Sequence, residues 1–80
     1  MNSRDYLEQA AKEIEKYTKR LQKFAKARDK IIEIIKFCDL TFPAHEQSLK
    51  TLLGECTFAI AECTDQIDTY EDYIAEKKNE

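Results

Sequence analysis

Apolar side chains recur in alternating steps of three and four along nearly the whole chain, and no other feature restricts its fold as much. In the first half the stripe is Leu7, Ala10, Ile14, Tyr17, Leu21, Phe24, Arg28, Ile31, Ile35 and Cys38. In the second it is Leu49, Leu53, Cys56, Ile60, Cys63, Ile67, Tyr70 and Ile74. This spacing puts every member on one side of an α-helix, as in the a/d seam of a coiled coil. Arg28 is the only charged residue in either stripe.

The chain has one Gly and one Pro in 80 residues. A β-sandwich or barrel needs more turn residues than that, so an all-α fold is expected. Helix one should start near Ser3, capped by Asn2 or Ser3, with Asp5 and Glu8 in its first turn where the helix dipole favours acids. Pro43 is tolerated in a first helical turn, with Thr41 as a cap before it. The expected organisation is a single helical-hairpin domain over 1–80. It has a helix over about 3–38, a turn over about 39–42 and a helix over about 43–78.

The two stripes interlock when run antiparallel. Ile35 meets Leu49, Ile31 meets Leu53, Arg28 meets Cys56, Phe24 meets Ile60, Leu21 meets Cys63, Tyr17 meets Ile67, Ile14 meets Tyr70, and Ala10 meets Ile74. Only the Arg28 layer is not wholly apolar, and large residues often face small ones. Two patterns found separately that fit each other are the strongest fold signal a lone sequence carries.

Two helices bury only their seam and its flanks, and this chain has apolar residues left over. Ile32, Ile34, Phe37, Leu40, Phe42, Leu52 and Phe58 are assigned to a partner-binding surface toward the turn end. One lateral face of the hairpin should show Tyr6, Ala27, Ile34, Leu52, Ala59 and Tyr73. The other should show the smaller Ala11, Ala25, Ile32, Thr57 and Thr64. A surplus of this kind marks an interaction surface, and a homodimer forming a four-helix bundle is expected. Arg28, polar within the seam, either specifies register and oligomeric state or carries its head out to water.

Charge divides the chain. Residues 1–38 carry ten Lys/Arg and six Asp/Glu; residues 39–80 carry three and ten. Lys12, Lys16, Lys19, Lys23, Lys26 and Lys30 form one outer stripe on helix one, about 27 Å long. Glu55, Glu62, Asp65, Asp72 and Glu76 hold the equivalent positions on helix two. The lysines are candidates for polyanion binding and the acids for a basic partner. The lysine stripe has no aromatic platform for bases, and the acidic helix would repel a polyanion.

Chemistry-bearing motifs are lacking. There is no Gly-rich phosphate loop, no C-x-x-C pair and no nucleophile beside a base. Cys38, Cys56 and Cys63 are odd in number and are expected to be free thiols, small and apolar in packing. His45, Glu46 and Ser48 lie where helix two begins and read as capping residues. No cofactor and no metal are expected. No apolar run approaches the length of a membrane span, and no secretory signal follows Met1. A cytoplasmic protein is therefore expected.

In outline such a chain resembles small hairpin proteins, among them plasmid copy-number regulators, bacterial secretion co-chaperones and phage inhibitors, with no shared motif. The expected function is a non-enzymatic interaction module. It would act as an adaptor, a chaperone or an inhibitor, including a phage-type inhibitor of a host protein. A nucleic-acid-associated regulator using the lysine stripe is the alternative.

Overall fold

Helix α1 spans Ser3–Phe37 and helix α2 spans Pro43–Lys78 in the computed structural model, which describes residues 3–38 and 42–79. Among these residues there is no strand. The helices pack side by side into a rod with extents of 59 × 17 × 14 Å. This is the helical hairpin expected from the two stripes.

Local chemistry accounts for the ends of α2. Pro43 takes the first helical position, where its missing N–H costs nothing. Phe42 therefore holds the N-cap, in an extended conformation with φ −109° and ψ 123°. Its carbonyl accepts a 3.0 Å hydrogen bond from the His45 N–H, and its ring meets the His45 imidazole edge-on, with centroids 5.4 Å apart. The cap is thus Phe42 rather than Thr41, and it makes no side-chain hydrogen bond. Asn2 and Thr41, both expected as caps, lie outside the described residues. At the far end the Asn79 N–H is shared between the carbonyls of Ala75 and Glu76, at 3.3 and 3.2 Å. Lys77 and Lys78 complement the dipole there.

The seam lies where the periodicity puts it, but it is thin. Among the seam residues from Leu7 to Ile35 and from Leu49 to Ile74, only Phe24, at 38%, is classed as exposed. Only Ala10 and Cys63 are buried among the described residues, at 3% and 5% exposure. Two helices cannot enclose a large side chain between them, so small residues alone disappear from solvent. The rings of Tyr17 and Tyr70 stack across the seam with centroids 6.4 Å apart. They come from adjoining layers of the antiparallel register, Tyr17–Ile67 and Ile14–Tyr70.

The outer surface of α2 satisfies itself. The hydroxyls of Thr51, Thr57, Thr64 and Thr69 each donate to the carbonyl four residues earlier, at 2.9–3.0 Å. Gly54 lies in mid-helix in open space; a Cβ there would meet nothing within 4 Å.

Candidate protein-interaction surfaces

The largest apolar side chains are those the hairpin fails to cover. Phe37, Phe42 and Phe58 are 81%, 61% and 66% exposed. Tyr6, Phe24, Ile34 and Leu52 are exposed between 37% and 48%. These residues divide by position. Phe37 and Phe42 flank the turn. Phe58 stands fifteen residues into α2, about 22 Å along the helix, on the side away from α1. Ile32 is half-buried on one lateral face, whereas Ile34 and Leu52 lie on the other. Leu40 lies outside the described residues. The assigned partner-binding residues therefore occupy several faces rather than one patch.

One lateral face gathers most of the rest. It carries Tyr6, Phe24, Ile34 and Leu52, together with half-buried Ala27, Ala59 and Tyr73. Two open grooves run along it. The larger, about 590 Å³, is lined by Tyr17, Arg20, Phe24, Ala59, Glu62, Cys63, Asp65 and Gln66. The smaller, about 260 Å³, is lined by Tyr6, Gln9, Ala10, Thr69, Tyr70 and Tyr73. Tyr17, Phe24 and Tyr70 are seam residues that spill onto this face because a two-helix seam has no room for their rings. Sequence period gives the direction of a side chain but not the depth available to it, so these three were not foreseen as surface residues.

Among the described residues no ion pair joins the lysine stripe of α1 to the acidic stripe of α2. Each ion pair among the described residues lies within one helix. These are Arg4–Glu8, Lys16–Glu13, Lys19–Glu15, Arg28–Asp29 and Lys50–Glu46, at 3.1–3.7 Å. Of the lysine stripe, Lys12, Lys23, Lys26 and Lys30 make no ion pair, and neither do Glu55, Glu62, Asp65, Asp72 and Glu76. Lys16 also sits 5.5 Å from the Tyr17 ring centroid, as does Arg20.

Arg28 leaves the seam. Its Nε lies 3.7 Å from an Asp29 carboxylate oxygen, and its side chain is 38% exposed. A long side chain that exposed carries its charged head toward solvent. The three cysteines are free: Cys63 is buried, Cys56 half-buried and Cys38 exposed. Cys38 thus departs from the expectation of a packed apolar side chain, because α1 ends at Phe37 and the seam ends with it. No helix among the described residues is long and apolar enough to cross a membrane. Nor do three or more His, Cys, Asp or Glu side chains gather there as a metal ion would require.

No protein-family model matches the chain, and neither a curated protein nor a solved structure shows significant similarity to it.

Proposed function

We propose that this chain is a small non-enzymatic protein-interaction module, built as a dimer of hairpins, that presents aromatic side chains to another protein. The observation that carries the reading is the exposure of Phe37, Phe42 and Phe58 in a chain whose seam cannot cover them. An isolated surface leucine is ordinary. Three phenylalanines more than half exposed on an 80-residue chain are not. Apolar anchors ringed by charge are the usual anatomy of a binding hot spot. Adaptor, chaperone and inhibitor roles, in the cytoplasm, all use such a surface.

The test is a comparison of three chains as bait in a lysate of the encoding organism. These are wild type, Phe37→Ala/Phe42→Ala/Phe58→Ala, and Lys16→Gln/Lys19→Gln/Lys23→Gln/Lys26→Gln. The reading expects a protein retained by wild type and the Gln variant and lost by the Ala variant, with helicity unchanged. Retention of nucleic acid by wild type, abolished in the Gln variant alone, would replace this reading with the electrostatic one.

A further inference from the structure

We propose that two copies of the hairpin dock through the grooved lateral face with their turns at the same end, so that α1 of each lies over α2 of the other. This rests on the dimer reading above and specifies its geometry.

The heptad sets which residues border that face. On α1 the bordering row is Gln9, Lys16, Lys23, Lys30 and Phe37, each seven residues from the next. On α2 it is Glu55, Glu62, Thr69 and Glu76. Gln9, Glu62 and Thr69 line the grooves themselves, which fixes both rows at the groove edges. A face carrying Tyr6, Phe24, Ile34, Leu52 and Tyr73, with Glu13, Arg20 and Gln66 among them, is thus framed by lysine on one edge and glutamate on the other. Lys23, Lys30, Glu55 and Glu62 have no ion-pair partner among the described residues.

The other lateral face differs in both respects. Its side chains are mostly Ala and Thr, and the Thr57 and Thr64 hydroxyls are already bonded to their own helix. Its bordering rows are Glu8, Glu15, Gln22, Asp29 and Lys36 on α1 and Gly54, Ala61, Asp68 and Ala75 on α2. A second copy brought to that face with turns together would find no complementary rim: Glu15 comes level with the partner's Asp68, and Glu8 and Asp29 come level with alanine and glycine.

Two copies meeting face to face about a two-fold axis have two choices. With the axis across the helices, the turns point apart and α1 lies on its own copy. Lysine row then meets lysine row, and glutamate row meets glutamate row. With the axis along the helices, the turns point together and each lysine row meets the partner's glutamate row. The levels also agree. Lys23 and Glu62 both fall between the Leu21–Cys63 and Phe24–Ile60 layers. Lys30 and Glu55 both fall between the Arg28–Cys56 and Ile31–Leu53 layers. An axis along the helices preserves level, so Lys23 comes opposite the partner's Glu62 and Lys30 opposite the partner's Glu55. Complementary rims fix register and suppress the wrong arrangement.

Spin labels on Cys38, in a full chain carrying Cys56→Ala and Cys63→Ala, read the arrangement directly. Turns together predict a label separation under roughly 30 Å. Turns apart place the labels at opposite ends of a 59 Å rod, roughly 50 Å from each other at 1.5 Å per residue. A second measurement keeps the native cysteines. Lys23→Glu/Lys30→Glu should weaken dimerisation roughly tenfold at low salt, and adding Glu55→Lys/Glu62→Lys to the same chain should restore it. A dimer with the long separation, or failure of the fourfold swap to restore association, overturns the docking geometry alone. A single-chain mass for the wild type in sedimentation equilibrium at up to millimolar concentration overturns both the geometry and the dimer reading beneath it.

Discussion

Gly54→Ala should stabilise the hairpin, and by an amount the structure allows to be worked out. Gly54 sits in mid-helix, its backbone is not in the positive-φ region, and an added Cβ meets no atom within 4 Å. None of the usual reasons for a helical glycine applies within one chain. The substitution therefore yields the intrinsic helix-propensity difference, about 1 kcal/mol, arising mainly from lower unfolded-state entropy. For a domain of this size that corresponds to a rise of about 4–8 °C in Tm. With a urea m-value near 1 kcal/mol/M it moves the midpoint by about 1 M. Ala61 provides the internal control, because it is exposed and stands seven residues along on the same row. Ala61→Gly should lose about what Gly54→Ala gains. Helicity should be followed by circular dichroism through urea titration at several chain concentrations, since association shifts apparent stability. The reasoning is refuted if Ala61→Gly costs the expected amount while Gly54→Ala is neutral or destabilising. That pair of results would mean something outside the chain lies against Gly54. Gly54 borders the smaller lateral face, so such an outcome would also count against docking through the grooves.

Leu21→Ala should destabilise by about 2 kcal/mol, because Leu21 is a half-buried seam residue in mid-rod and truncation removes its apolar contact; chemical denaturation measures it. Arg28→Leu should raise stability by about 1 kcal/mol with mass unchanged, since the guanidinium already lies outside the seam. A change of mass in sedimentation would instead assign Arg28 to oligomer specification. Phe58→Ala should leave the hairpin within about 0.5 kcal/mol of wild type, because the ring is mostly exposed; a larger loss would place Phe58 in an interface of the isolated protein.

Period and punctuation made the hairpin legible before any coordinates. Leu7 through Ile35 and Leu49 through Ile74 declare two helices, and Pro43 declares where the second begins. The lateral face with Tyr6, Ile34, Leu52 and Tyr73 followed from the same wheel. Depth was not legible. Phe24 and Leu21 look alike in the pattern, yet Phe24 is more than a third exposed because a ring cannot fit where two helices alone must enclose it. Shared chemistry does not place two residues together along the rod: Phe58 resembles Phe42 but stands several turns from it. The charge stripes were legible as rows. That no ion pair joins them across the hairpin among the described residues required the structure, because lysine and glutamate side chains reach far enough for sequence spacing alone to leave the question open.

The thinness of the seam has a consequence for how the rod assembles. Each layer touches only the layers beside it, so order can spread from one layer to the next in the manner of a zipper. The loop that must close is shortest next to Phe37 and Phe42, and each further layer lengthens it by only a few residues, adding a few tenths of a kcal/mol or less of closure entropy. Formation therefore starts cheapest at the turn, and the end bearing Tyr6 and Tyr73 is the last to join and the first to part. Amide hydrogens should accordingly exchange along a gradient, slowest in the layers inside both helices nearest the turn, around Ile31 and Leu53, and fastest toward Arg4 and Lys78.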